Sequence, residues 1–187
     1  IEVARICFEE IGLGPTAVIC ALLHDVVEDT DVTFEDIKNK FGEKVAKIVD
    51  GLTKLDGTYN TDNLQAENFR KVISTLVVDV RVVLIKMADR LHNLRTIDGQ
   101  PQHKQIKIGA ETNYIYTPLA HRLGLYKIKT EFQDICLKIS DPEVYNEIAS
   151  KLEQSQADRN HYIQEFINPL HPELSELEIK YRVTGRP

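Results

Sequence analysis

Apolar residues recur every three or four positions along most of the chain, which is the spacing of helices that bury one face. In the clearest case, Leu84, Met87, Leu91 and Leu94 predict the packing stripe of one helix. The same period predicts helices at about 1–11, 15–29, 80–96, 125–139 and 142–167, with shorter helices between them. The pattern therefore predicts an all-α fold.

Glycine, proline and capping residues indicate where these helices begin and end. A Gly-Leu-Gly turn at 12–14 ends the first helix, and Pro15 opens the second. Thr33 predicts the N-cap of a short helix that ends at Gly42. Pro118 falls inside a later helical pattern, where it predicts a kink.

The pattern divides the chain into a main domain, 1–167, and a tail, 168–187. Within the tail, 177–183 alternates apolar and polar residues, which is typical of a strand. A lone strand is not stable by itself, so we expect this tail to be loosely ordered or to pair with another strand. The polar segment 57–63 predicts a loop, either a mobile lid over a site or an ordinary connector.

Composition narrows the class of protein. A chain of 187 residues with 42% hydrophobic content can bury one core, and a net charge of -6 argues against a nucleic-acid surface. Cys7, Cys20 and Cys136 are widely spaced, which predicts buried, reduced thiols. We see neither a membrane-spanning stretch nor a signal peptide, and we expect a cytoplasmic protein.

An unusual group of polar side chains follows the apolar run of the second predicted helix. If that helix continues, His24 lies one turn before Glu28, and Asp25 one turn before Asp29. The four side chains would then share one side and can converge on a cation. The alternative is an acidic helix end that runs into a solvated turn.

Asp89 lies within the apolar helix predicted at 80–96, and Asn93 and Thr96 continue a polar stripe from it. A buried carboxylate needs partners, because an unpaired buried charge is costly. A metal ion shared with His24 and Asp25 would be one. The alternative is an ordinary surface ion pair between Asp89 and a neighbouring arginine.

Four strings of sequence carry a resemblance to a known family. They are LLHDVVEDT (22–30), GLTKL (51–55), ADRLHNLRT (88–96) and PLAHRLG (118–124). In this order they resemble the hydrolase domain of the bifunctional RelA/SpoT family, an HD-type metal-dependent phosphohydrolase. The resemblance implies a multi-helix HD-domain bundle that removes the 3′-pyrophosphate of ppGpp or pppGpp, leaving GDP or GTP, in the control of the stringent response.

The resemblance also implies residue roles. The family holds one Mn²⁺ ion with two His and two Asp, and His24, Asp25 and Asp89 match three of these ligands. The fourth ligand, a histidine of a His-Pro pair, would lie just upstream of the first residue. Glu28 and Asp29 would activate or position the attacking water. Ligand type alone would also allow Mg²⁺, Fe²⁺ or Zn²⁺.

For the substrate, the resemblance places Asn93 and Thr96 near the guanosine, and Lys54 and Arg90 near the phosphates. Arg70 and Lys71 are further basic candidates, and any of these basic side chains can instead be an ordinary solvated one. Residues 184–187 resemble the start of the family's synthetase domain, which would be a partner of this domain in the full-length protein. We expect no alarmone synthesis from residues 1–187 themselves.

Two other functions remain open at this point. One is an HD-type hydrolase of another nucleotide, such as a deoxynucleotide. The other is a non-catalytic nucleotide-binding module that regulates the synthetase.

Overall fold

The computed structural model describes residues 1–56, 79–170, 172 and 174, without the side chains of 54–56, 154–160 and 162. Within this part the chain is helical and contains no strand, which confirms the predicted all-α class. The predicted loop at 57–63, the basic candidates Arg70 and Lys71, and the strand-like tail at 177–183 lie outside the described residues. The chain divides into two compact units, 1–140 and 141–187.

The first unit is built from helices of very different length, of which Glu43–Asp56, Val80–Arg95 and Tyr126–Ser140 have 14, 16 and 15 residues. In chain order the elements are α1 (Glu2–Arg5), a π-helical turn (Ile6–Glu10), α2 (Pro15–Leu22), α3 (Val26–Asp29), α4 (Phe34–Phe41), α5 (Glu43–Asp56), α6 (Val80–Arg95), a 3₁₀ turn (Ile97–Gly99), α7 (Gln102–Glu111), a second π-helical turn (Thr112–Tyr116), α8 (Thr117–Arg122) and α9 (Tyr126–Ser140). The second unit contains α10 (Pro142–Ile167).

Helix α6 is at the centre of the first unit, where it packs against α1, α2, α5 and α9. Met87, Leu91 and Leu94 of its predicted stripe are buried, and Leu84 is half-buried. Burial continues around the helix to Val83 and further apolar residues, because α6 has neighbours on several sides. A central helix of this kind is a rigid support for any polar side chain that it carries.

Helices α5 and α6 approach each other closely at Gly51. A Cβ atom placed on Gly51 would lie 3.0 Å from Cγ2 of Val82. Glycine therefore lets the two helices pack at this distance, at the first turn of α6.

The predicted cap of α4 is confirmed. The backbone N–H of Asp36 donates to Oγ1 of Thr33 at 3.2 Å, and the backbone N–H of Thr33 donates to Oδ2 of Asp36 at 2.9 Å. This reciprocal pair is a capping box. Gly42 ends the helix with a φ of 88°, a conformation that favours glycine.

The single helix predicted over 15–29 is wrong. Helix α2 ends at Leu22, and α3 begins only at Val26. In a continuous helix the carbonyl of Ala21 would accept the N–H of Asp25, but here Nδ1 of His24 donates to it at 2.8 Å. His24 and Asp25 therefore lie on a turn, and the backbone N–H of Glu28 donates to Asp25 rather than to His24. Asp25 still lies one turn before Asp29, whose backbone N–H donates to its carbonyl at 2.9 Å.

The other helix distortions are π-helical turns. The first helix widens at Ile6–Glu10, and a second widening at Thr112–Tyr116 precedes Pro118, which lacks an N–H to donate. The chain is thus irregular next to Pro118, as predicted, although the form is a wide turn.

All three cysteines are free and buried, as predicted. Burial raises the pKa of Cys7 to about 12 and that of Cys20 to about 11. Burial also raises the pKa of Cys136 to about 11. The thiols are therefore protonated and unreactive in the folded chain. In the part of the chain that the structure describes, no helix combines the length and the apolar character that a membrane crossing requires.

Candidate metal centre and active site

Three of the predicted metal ligands meet between α2 and the middle of α6. Nε2 of His24 lies 2.8 Å from Oδ2 of Asp25 and 3.6 Å from Oδ1 of Asp89. Asp89 is far from the other two along the chain, and the packing of α2 against α6 brings it to them. The turn after α2 and the rigid α6 thus build one cluster of donor atoms.

The hydrogen bond at the other ring nitrogen fixes the tautomer of His24. The acceptor of Nδ1 is the Ala21 carbonyl oxygen, which can only accept, so Nδ1 carries a proton. In the neutral ring the lone pair is then on Nε2, the atom that faces Asp25 and Asp89. A metal-binding histidine requires this arrangement, with its second nitrogen bonded to a carbonyl or a carboxylate.

Burial and charge act against each other at the cluster. Burial opposes a charged His24, but its contact with Asp89 and the charge of Asp25 prevail, and the pKa of His24 is raised. Burial raises the pKa of Asp25, which His24 only partly offsets. Burial also acts to raise the pKa of Asp89, but His24 and Lys86 outweigh it and the pKa is lowered. Asp89 is therefore the more strongly ionised of the two acids.

Lys86 is a polar residue at this site that the sequence analysis missed. Its side chain is buried, with 4% of the residue exposed, and Nζ lies 3.5 Å from Oδ2 of Asp89. On the other side of the carboxylate, Nδ2 of Asn93 donates to Oδ1 of Asp89 at 3.3 Å. The available signal was a lysine within an apolar run, one turn before the aspartate.

Glu28 and Asp29 lie on the short helix α3, and both are exposed. The backbone N–H groups of both residues donate to the carbonyl of Asp25, which connects α3 directly to the turn of the cluster. Their carboxylates are therefore accessible to water within one turn of the His-Asp pair.

Asn93 and Thr96 lie on the exposed side of α6, one turn and two turns after Asp89. Oγ1 of Thr96 donates to the carbonyl of His92 at 3.0 Å. The predicted polar stripe of Asp89, Asn93 and Thr96 is present, and it runs from the cluster towards solvent.

Arg90, one of the two residues predicted to bind phosphate, contacts other helices. Arg90 is largely buried, donates to Oε2 of Glu111 at 3.3 Å, and lies 4.7 Å above the ring of Tyr116. These contacts connect α6 to α7 and to the second π-helical turn. The side chain of Lys54 lies outside the described residues.

Arg95 connects three parts of the first unit. It donates through Nη1 and Nη2 to Glu10 at 2.7 and 2.9 Å, and through Nε and Nη2 to Glu131 at 2.6 and 2.8 Å. Two paired bonds of this kind are geometrically specific. The residue thus stabilises the position of the end of α6 against the first π-helical turn and α9.

We tested whether these residues fit a metal ion by their donor chemistry. Across 1–56 and 79–170, no three His, Cys, Asp or Glu side chains already have the arrangement of a coordination shell. In the cluster, Nε2 of His24 is at hydrogen-bonding distance from Asp25, a contact that an ion would replace. One imidazole and two carboxylates nevertheless suit divalent cations, and the tautomer of His24 is the required one. The residues therefore fit such an ion.

Comparisons with known proteins identify the family of the chain. Residues 1–126 match the family model described as HD domain. A guanosine-3′,5′-bis(diphosphate) 3′-pyrophosphohydrolase of Aquifex aeolicus (strain VF5) is 43% identical over an alignment of 178 positions that covers 92% of this chain and 25% of the relative. The bifunctional (p)ppGpp synthase/hydrolase SpoT of Escherichia coli (strain K12) is 42% identical over 179 residues, 95% of this chain and 26% of the relative.

A third relative, a GTP pyrophosphokinase of Myxococcus xanthus, is 40% identical over an alignment of 191 positions that covers all of this chain and 25% of the relative. The chain thus spans about a quarter of the length of the curated relatives that it matches.

Proposed function

The chain belongs to the HD domain family, and we propose that it hydrolyses the 3′-pyrophosphate of guanosine 3′,5′-bis(diphosphate) or of its pentaphosphate form. The products would be pyrophosphate and GDP or GTP. The observation that carries this proposal is that Nε2 of His24 contacts the carboxylates of both Asp25 and Asp89, at 2.8 and 3.6 Å. The name of the relative from Aquifex aeolicus, a 3′-pyrophosphohydrolase of this nucleotide, supports the choice of substrate.

HD domains hold a divalent metal ion, and we propose that it is Mn²⁺ in this chain. His24, Asp25 and Asp89 would bind it, and the predicted histidine upstream of the first residue would be a fourth ligand. When bound, such an ion polarises a phosphoryl oxygen and lowers the pKa of a bound water. The hydrogen bond from His24 to Ala21 keeps the imidazole in place for this role.

Glu28 is proposed as the general base, and Asp29 as its partner in orienting water. In the reaction, the water oxygen forms a bond to the phosphorus attached to the ribose 3′-oxygen, and the bond between that phosphorus and the 3′-oxygen breaks. A carboxylate of α3 takes the proton from the water, and the 3′-oxygen leaves with a proton to become a hydroxyl. The exposure of both carboxylates suits exchange of this proton with solvent.

The amide of Asn93 and the hydroxyl of Thr96 are proposed to bind the guanosine, since both are exposed on the stripe that begins at Asp89. Lys54 and Arg90 are proposed to bind phosphates. For Arg90, binding would mean exchanging its contact with Glu111 for the substrate. Such an exchange would couple substrate binding to the packing of α6 against α7.

The wider assignments follow from the relatives. We propose that residues 168–187 lead into a synthetase domain, because the relatives include a (p)ppGpp synthase/hydrolase and a GTP pyrophosphokinase. The proposed location of the full-length protein is the cytoplasm. We propose no nucleic-acid partner, given a net charge of -6.

The test is release of pyrophosphate from ppGpp by the full-length protein with Mn²⁺, compared with the same reaction in a metal chelator. Glu28→Gln should lower the rate about 100-fold or more, as expected for loss of a general base. Glu35→Gln, which changes an exposed carboxylate of α4, is the matched control and should leave the rate unchanged. Absence of pyrophosphate release by the unaltered protein would refute the proposal.

A panel that includes deoxynucleoside mono- and triphosphates tests the alternative that this is an HD-type hydrolase of another nucleotide. Turnover of one of these in preference to ppGpp would favour that alternative. Binding of ppGpp without any turnover would favour a non-catalytic regulatory module.

A further inference from the structure

Lys86 is a charged residue in the interior of the first unit. Only 4% of it is exposed, and it belongs to the same helix as Asp89, three residues earlier. Lysine is almost never buried to this degree unless it is paired. We therefore expect the contact between Lys86 and Asp89 to have a structural or functional role.

The two oxygens of Asp89 face different partners. Oδ1 lies 3.6 Å from Nε2 of His24 and accepts from Nδ2 of Asn93 at 3.3 Å. Oδ2 lies 3.5 Å from Nζ of Lys86. The ammonium group thus engages the oxygen that faces away from His24, and it leaves Oδ1 directed at the cluster.

We propose that Lys86 is a positioning residue for the metal centre, which holds Asp89 so that Oδ1 is presented to the ion together with His24. This inference rests on the proposed function, since it assumes that Asp89 binds the ion. Groups that contact a ligand from behind commonly fix its orientation, and losing them weakens metal binding without removing any ligand. The burial of Lys86 on the central helix makes its own position rigid.

A purely structural role is the competing explanation, and metal affinity separates the two. In the full-length protein, Mn²⁺ affinity is measured by the electron paramagnetic resonance signal of the free ion, and thermal unfolding is measured without metal. The variants are Lys86→Met, which keeps the apolar stem, and Lys86→Arg, which keeps the charge. The matched control is Lys47→Met, which removes an exposed lysine paired with Glu43 on α5.

We expect Lys86→Met to weaken Mn²⁺ binding about 10- to 100-fold. The melting temperature without metal should change little, because Asp89 keeps His24 and Asn93 as partners when the ammonium group is removed and is therefore not left unpaired. Lys86→Arg should restore part of the affinity, and Lys47→Met should bind Mn²⁺ as the unaltered protein does.

An affinity of Lys86→Met within twofold of the unaltered protein would overturn the inference. A loss of affinity that follows a matching loss of thermal stability, without rescue by arginine, would overturn it as well. If the methionine variant does not fold, Lys86→Gln is judged by the same criteria. If the unaltered protein binds Mn²⁺ and hydrolyses ppGpp, these outcomes for the Lys86 variants refute only the role of Lys86. If the unaltered protein does not bind the ion, the proposed function is refuted as well.

Discussion

Replacing Gly51 with alanine tests how closely α5 and α6 pack beside the candidate site. The new methyl carbon would lie 3.0 Å from Cγ2 of Val82 and 3.5 Å from Cγ1. Carbon atoms prefer separations of about 3.5 to 4.0 Å, so the first contact is repulsive. Val82 is one turn before Lys86 on α6, and strain here would reach the residues of the cluster.

Two effects of opposite sign decide the magnitude. Alanine in a helix interior is favoured over glycine by about 1 kcal/mol. Overpacking a filled core costs about 1 to 3 kcal/mol. Val82 is 2% exposed, and a β-branched side chain in a helix has essentially one rotamer, so it cannot turn aside. We therefore expect a net decrease of about 1 kcal/mol in the free energy of unfolding.

The assay is urea unfolding of four proteins: unaltered, Gly51→Ala, Val82→Ala and the double variant. Val82→Ala alone should cost about 2 kcal/mol, from two buried methyl groups and the space that they leave. In that background Gly51→Ala should become stabilising, because the clash is gone and the helix propensity remains. Gly109→Ala is the matched control, since its methyl would meet Ile139 at an ordinary 3.6 Å. A stabilising Gly51→Ala in the unaltered protein, or no change of sign in the double variant, would refute this reasoning.

Other predictions concern contacts away from the metal cluster. Arg95→Ala should lower the free energy of unfolding by about 1 to 2 kcal/mol, because Glu10 and Glu131 lose paired bonds that are only partly exposed. Urea titration measures this change, and an unchanged midpoint would contradict the prediction. The hydrogen bond from Arg95 lowers the pKa of Glu10 below 4.5. Its stabilising contribution is therefore present above about pH 4.5 and is lost as the pH falls through the lowered pKa, so the difference between Arg95→Ala and the unaltered protein should shrink in acid. Thr33→Ala should cost about 1 kcal/mol by removing the cap shared with Asp36, whereas Thr33→Ser should be nearly neutral; equal effects of the two would refute the capping role.

The elements that could be predicted are those with strong local signals. The stripe of α6 and the cap at Thr33 depend on neighbours within one or two turns, and sequence spacing reports such neighbours. The end of α2 could not be predicted in this way. Its cause is the side chain of His24 bonding to a backbone carbonyl, and the periodicity of apolar residues does not report that competition.

For the site, the residue types indicated a metal cluster, and the position of Asp89 within an apolar helix made it a candidate partner. The family resemblance then selected Asp89 over the alternative of a surface ion pair. No spacing rule could show that α2 and α6 pack together at this point. Lys86 was missed because a lysine in a helical sequence is interpreted as solvated unless the packing around the helix is known. The contacts of Arg95 with Glu10 and Glu131 were missed for the same reason.

The burial of Cys7, Cys20 and Cys136 makes the protein suitable for site-specific labelling. The sequence has only these three cysteines, and each is shielded in the folded chain. A cysteine introduced at an exposed position would therefore react with a maleimide dye or spin label far faster than the native ones. Slow modification of the native thiols would in turn time the transient openings of the helices that cover them.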